Sequence, residues 1–316
     1  MCYPSLPTIA GAAVFVVKPT IFWPYFMGTV ILVIGLAAIL RNRRWHAPGV
    51  EKALVFGPLF FAAPMAVFAG DHFVFPAQIA NIVPAWMPWH LLWVYFVGTA
   101  LLAAGLSLAL GRYSKLAALL LGTMLFCFVL VMHIPNLIEN PGDRFALAIL
   151  LRDLSFSCGA LAFALEQSRP APARMRITLS VLRCTIAAAA IIFGIEHFFH
   201  PDFVPIIPLR RQLPPWMPAH AALSFTTGAI LILAGCALIM NRKARRVATW
   251  LGIFVFGVVL LVYVPILVAQ PSSNDALNYV ADTLVYSGVA LLLAGALPKE
   301  QHRQSRTGER ATTIAA

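Results

Sequence analysis

Charged side chains are scarce in this chain, and those able to donate, accept or ligate recur at corresponding places. An acid and a histidine stand together twice, as Asp71-His72 and as Glu196-His197. A Trp-Met-Pro-x-His string also occurs twice, from Trp86 to His90 and from Trp216 to His220. His133-x-Pro135 is answered by Tyr263-x-Pro265, and Asp153 by Asp282. Carboxylates beside imidazoles and phenols can relay protons or bind a ligand, hold one another in structural hydrogen bonds, or take a transition metal, and residue type alone leaves all three open. Neighbours on a helix point about 100° apart, so Asp71 and His72 cannot both face one centre, which counts against a simple metal triad. The same geometry turns Arg152 away from Asp153, which is expected to meet His72, His90 or His133 across the helices.

The elements that position these groups must lie in a bilayer. Of 316 residues, 60% are hydrophobic and 11% charged, and the mean hydropathy is +0.84. The net charge of +11 would suit nucleic acid if the bases formed one polar face. They fall instead in short clusters between long apolar runs, which excludes a nucleic-acid partner and leaves the lipid bilayer as the first one. A span needs about twenty apolar residues. Nine segments qualify, near 21–40, 53–73, 90–110, 116–135, 145–165, 177–198, 220–240, 247–268 and 278–297. Sorted by the sides these spans define, seventeen Lys and Arg fall on one side and Lys18, Arg144, Arg210 and Arg211 on the other. The rich side is expected to be cytoplasmic, with the C-terminus inside and the N-terminus outside a cell inner membrane. The stretch Thr8 to Val17 is short and lacks a basic flank, so it makes a poor signal peptide.

Most informative is an internal repeat. Pro84 to Pro135 laid on Pro214 to Pro265 without a gap, at an offset of 130, gives 18 identities in 52 positions. Asp71 and His72 align with Glu196 and His197 at an offset of 125, the change being an insertion around Pro208 to Gln212, and Asp153 aligns with Asp282 at 129. Five regions follow: 1–50 with an extra transmembrane helix, 51–166 as a first four-helix repeat, 167–176 as a cytoplasmic linker, 177–298 as a second repeat, and 299–316 as a basic tail. An even number of spans per copy gives both the same orientation. The fold class is therefore all-α integral membrane, with about nine transmembrane helices, one extra helix plus two parallel four-helix bundles.

Eight of the twelve acids and six of the eight histidines fall at the outer pole of these helices, the place to look for a site. Trp86 and Trp216 suit interfacial anchors, and Pro88 and Pro218 suit the first turn of a helix. Gly98 and Gly105, like Gly228 and Gly235, are spaced two turns apart and suit close helix approach. The cysteines Cys2, Cys127, Cys158, Cys184 and Cys236 form no CxxC pair and read as buried packing residues.

The Glu196-His197-Phe198 corner, the Trp-Met-Pro-x-His string, the basic turn Asn241 to Arg246 with Leu251-Gly252, and Asp282-x(5)-Gly288 resemble the DoxX-like family of small four-helix bacterial membrane proteins. The first copy departs from that pattern with Asp71 for the glutamate and with Gly111 to Lys115 for the basic turn. The resemblance covers about 51–298 and implies a four-helix bundle per copy. It also implies a loose link to quinone-coupled or thiol redox systems. Two functions follow from different classes. One is a redox-accessory subunit in which Asp71, His72, Glu196 and His197 bind a quinone headgroup or meet a redox partner protein. The other is a solute or lipid permease using the interface between the bundles and the buried Asp153 and Asp282, and a structural bundle without chemistry remains beside both. No covalent cofactor motif, phosphate loop, nucleophile elbow or HExxH occurs, so a quinone is the one cofactor suggested and no metal is assigned.

Overall fold

A computed structural model describes residues 19–41, 49–168 and 173–299. The protein is an all-α multi-pass membrane protein, and among the described residues nine helices are long and apolar enough to cross a bilayer. They are α1 (Pro19–Arg41), α2 (Gly57–Val74, entered through a 3-10 segment Gly49–Phe56), α3 (His90–Leu110), α4 (Ser114–Glu139), α5 (Arg144–Glu166), α6 (Ala173–Phe199), α7 (His220–Ile239), α8 (Ala244–Ala269) and α9 (Asn274–Ala296). The stretch Thr8 to Val17 and the tail from residue 300 lie outside the described residues. Because α6 begins at Ala173, its first turn takes up part of the stretch read as a linker.

The expected end of α4 near 135 shifts for a backbone reason, while α8 ends at Ala269, next to the expected 268. Both α4 and α8 run on past their prolines, to Glu139 and Ala269, because a widened π turn, Val129–His133 or Val259–Tyr263, immediately precedes Pro135 or Pro265. Proline lacks the N–H that an α-helix needs and its ring crowds the carbonyl a turn earlier, so a wider turn lets the helix continue. Pro88 and Pro218, conversely, sit outside the helices they were expected to start. Trp89 and Ala219 adopt left-handed φ of 55° and 58°, breaking the path between each proline and the histidine that opens α3 or α7. The turns before α4 and α8 repeat this feature at Tyr113 and Lys243.

Within each half the helices pack in chain order: α2 on α3, α3 on α4, α4 on α5, then α6 on α7, α7 on α8, α8 on α9. The close-approach glycines act as their spacing suggests. A Cβ on Gly105 would meet the Ala62 carbonyl at 2.9 Å, and one on Gly235 the Ala187 carbonyl at 2.7 Å. Ser157 Oγ donates to Gly122 O at 2.7 Å between α4 and α5, and Ser287 Oγ to Gly252 O at 2.8 Å between α8 and α9.

Closure of the halves was not visible in the sequence. The first helix of each half packs on the last helix of the other, α2 on α9 and α6 on α5, and α5 packs on α9 through the middle. Eight helices thus make a ring pinched at α5 and α9, and the two four-helix units share that centre instead of closing separately. The seams are backbone-tight. A Cβ on Gly288 would lie 3.0 Å from Phe61 N and 3.1 Å from Gly57 O, and one on Gly159 only 2.8 Å from Val289 Cγ2. Lipid supplies no hydrophobic force between helices, so such close approach is what holds them. Helix α9 is accordingly the most enclosed of the nine, while α1 lies outside the ring against α2 and α3.

At the pole carrying most of the bases, Arg245 Nη1 donates to the carbonyls of Ala294, Gly295 and Leu297, and the buried Arg183 donates to Leu238 O at 2.7 Å. These cations cap the C-termini of α9 and α7, where carbonyls lack partners and the helix dipole is negative. Cys158 is buried as expected, but Cys127 and Cys236 are exposed, on faces turned away from the packing.

Since the atoms facing Gly288 are backbone and cannot move aside, Gly288→Val should destabilise the protein by about 1–3 kcal/mol. Gly257, whose added Cβ would meet nothing within 4 Å, should accept alanine without loss. Thermal unfolding of both variants in detergent checks the contrast.

Candidate functional site

The centre of the pole rich in acids and histidines is the crossing of α5 and α9, and it turns on Arg152. Its Nε donates to Asp153 Oδ1 at 2.8 Å and its Nη1 to Asp282 Oδ2 at 3.0 Å. His133 Nε2, from the π turn of α4, lies 2.8 Å from Asp153 Oδ2. One chain of polar contacts, His133, Asp153, Arg152 and Asp282, therefore joins three helices and both halves. The expected contact between Asp153 and His133 is present, whereas His72 and His90 make no bond to Asp153. Arg152, expected to turn away from Asp153, instead bonds to it. Adjacent Cβ atoms do diverge, but an arginine side chain is long and carries donors along its fork, so Nε turns back to its neighbour while Nη1 reaches across. Ala281 occupies the place of Arg152 in the second half, so one guanidinium serves both carboxylates. Burial of these groups inside membrane helices requires such pairing.

Asp71 and Glu196 occupy matching places in the last turns of α2 and α6 but have different surroundings. Glu196 Oε2 lies 3.6 Å from Arg144 Nη1 and 3.7 Å from His200 Nε2. Asp71 is buried beside the side-chain amides of Asn278 and Asn274 on α9, and its Oδ1 accepts no hydrogen bond.

The histidines beside them differ as well. His197 Nδ1 donates to the carbonyl of Phe193 and its Nε2 accepts from Ile206 N at 3.0 Å, and the residue is 1% exposed. Both ring nitrogens are committed, so His197 is a neutral latch rather than a proton carrier in this arrangement. His72 Nδ1 makes the same bond to Phe68 O at 2.7 Å, but no bond to its Nε2 is found among the described residues. The cause is the inserted loop of the second half. Residues 203–213 fold inward with Val204, Ile206, Ile207, Leu209 and Leu213 buried, and Ile206 holds a φ of 77°, rare for a β-branched residue. Tyr263, 1% exposed, donates its hydroxyl to Pro205 O instead of meeting Asp282 as His133 meets Asp153. Tyr279 OH accepts from Arg210 N and Arg211 N at 3.1 and 2.8 Å, the Arg210 guanidinium stacks 3.9 Å over Phe145, and Arg211 pairs with Asp275 at 2.6 Å. Arg144 donates to Pro208 O. The loop is thus pinned to the starts of α5 and α9 and plugs the second half. The shorter loop of the first half, 75–89, sends no hydrogen bond into the cluster.

His220 Nε2 lies 3.0 Å from Pro214 O and ties the start of α7 to its loop, and His90 is half-buried at the same point of α3. Both stand apart from the Arg152 cluster. Trp86 and Trp216 are 73% and 55% exposed, as interfacial anchors require. No three His, Cys, Asp or Glu side chains among the described residues converge on one metal position. A recess of about 130 Å³ lined by Gly35, Leu59, Leu108, Ser114, Phe163 and Gln167 opens at the opposite pole, remote from the cluster. Asn274, Asn278, Tyr279 and Arg144 were not singled out from the sequence. A signal existed: Asn274, Asn278, Asp282 and Tyr286 recur every fourth residue and draw one polar stripe down α9.

Removing the latch and removing its first-half counterpart should have unequal effects. His197→Leu orphans the buried Ile206 N–H and should cost about 1–3 kcal/mol, while His72→Leu strands no donor and should cost less. Unfolding of the two variants side by side decides this.

A family model described as Domain of unknown function (DUF8561) matches residues 61–152, from within α2 to the Arg152 position in α5. No curated protein and no solved structure matches the chain.

Proposed function

We propose that this is a DoxX-like protein built by internal duplication. It lies in a bacterial inner membrane with its N-terminus outside, and its first half carries a proton-exchanging site that serves a quinone- or electron-transfer-linked complex. The observation that carries this reading is the chain from His133 through Asp153 and Arg152 to Asp282. His133 is only partly covered, and it ends a membrane-embedded polar chain whose two carboxylates are buried. Glu196 and His197, taken from the sequence as equal partners of Asp71 and His72, become the scaffold of the plugged half.

Duplication is supported by the matched π turns, the matched left-handed turn residues and the two Ser-to-Gly hydrogen bonds at the same spacing. The proposed orientation rests on the asymmetry of bases between poles. The permease reading draws less support. Gly159 against Val289 fills the seam between the halves, where the path would have to run.

Mass spectrometry of gently purified protein tests the redox reading, together with quinone-dependent respiration in membranes. Retained quinone, reduced about tenfold by Asp153→Asn through loss of a buried hydrogen-bonded group, is the expected result. No retained or competing quinone, with respiration unchanged in both Asp153→Asn and Glu196→Ala, overturns it.

A further inference from the structure

The formal charges of the central cluster do not balance. Asp71, Asp153 and Asp282 are buried carboxylates, and the one guanidinium among them, Arg152, is engaged by Asp153 and Asp282. A protonated His133 would lower the excess to one negative charge, and that charge belongs to Asp71, which has no cationic partner among the described residues. The matching position at the end of α6 shows what a balanced version looks like, because there Arg144 of α5 stands against Glu196. At the offset of 129 that relates Asp153 to Asp282, Arg144 corresponds to Ser273, so the start of α9 beside Asp71 lacks that cation.

Beside Asp71 stand two side-chain amides instead. Asp71 is only 7% exposed, and its Oδ1 is buried without a hydrogen-bond partner, as are Oδ1 of Asn274 and Oδ1 of Asn278. The two asparagines stand one turn apart on α9, and the Asp71 carboxyl lies beside both. The corresponding positions of α5 are Phe145 and Ile149, which offer no ligand. A proton on Asp71 could serve one neighbouring acceptor, leaving the other asparagine oxygen unsatisfied, whereas a hard cation is bound by several oxygens at once.

The extra helix closes this position from the side. A Cβ on Gly70 would lie 2.6 Å from Pro24 Cα, Tyr25 OH donates to Pro271 O at 3.1 Å, and Ile21 packs with Val67, Leu277 and Ala281. Among the described residues no matching helix covers the second half.

We propose that Asp71, Asn274 and Asn278 form a site for an alkali cation of the sodium class, which supplies the positive charge that Arg144 supplies at Glu196. The site is separate from the His133 to Asp282 chain, so it can fail or stand independently of any redox role.

The test is equilibrium binding of radiolabelled sodium ion to the full chain in lipid nanodiscs. Melting temperature is measured alongside in sodium, potassium and choline chloride at equal ionic strength. Saturable binding of one ion per chain is expected, with melting raised by sodium over choline. Asp71→Asn should abolish binding and make the melting temperature indifferent to the salt. Asn278→Ala keeps the carboxylate and should weaken binding at least about tenfold, which covers the case in which Asp71→Asn does not fold. Equal binding of potassium would support the site as one for alkali ions generally. No sodium binding between acid and alkaline pH, with melting that follows pH alone, would mean that Asp71 carries a proton and would overturn the proposal. So would binding that survives both substitutions.

Discussion

Two carboxylates from different halves of the chain meet inside a membrane-embedded helix crossing, and one guanidinium neutralises both. The cost of leaving a charge unpaired in such a place is several kcal/mol, so Arg152 constrains much of what surrounds it. It requires α5 and α9 to be close, which the small residue at Gly159 permits, and it requires both to stand at one depth, which the matched helix starts at Arg144 and Asn274 provide. With α5 and α9 held at the centre, each half's first helix closes on the other half's last. The ring is then a single unit, although its sequence is written as two.

A second consequence is asymmetry. A cation placed in one half cannot sit symmetrically between two like carboxylates, and the rest of the structure follows that imbalance. The second half is filled: its inserted loop occupies the pole, His197 and Tyr263 are used up in holding it, and Arg144 covers Glu196. The first half keeps His133 on Asp153, leaves His72 half-engaged and leaves Asp71 beside two side-chain amides. Three sequence differences between the copies, Asp71 against Glu196, His133 against Tyr263 and Arg144 against Ser273, fall on these contacts.

The nine spans and the polar pole were legible because lipid imposes strict rules: twenty-residue apolar runs, and polar groups confined to the ends or to partners. Depth along the helix set Asp153 against His72, His90 or His133 without choosing among them. Three things were not legible. Helix order around the ring depends on backbone clearances at single glycines such as Gly288, which hydropathy does not encode. The reach of Arg152 depends on rotamer and fork geometry, and helical-wheel angles describe only where its Cβ points. The inward fold of residues 203–213 depends on Ile206 taking a backbone conformation that its residue type argues against, held there by His197 and its own burial. The sequence read Pro88 and Pro218 as helix starts for a related reason, since the left-handed Trp89 and Ala219 beside them carry no residue-type signal.

If Arg152 holds the halves together by its shared charge, its contribution and that of Asp282 must be coupled. A double-mutant cycle on unfolding free energy, with Arg152→Met, Asp282→Asn and both together, measures that coupling directly. Arg152→Met alone should cost about 3–5 kcal/mol, because it strands two carboxylates. Adding Asp282→Asn should recover part of that loss, giving a coupling of at least about 1 kcal/mol. Costs that simply add would contradict the account.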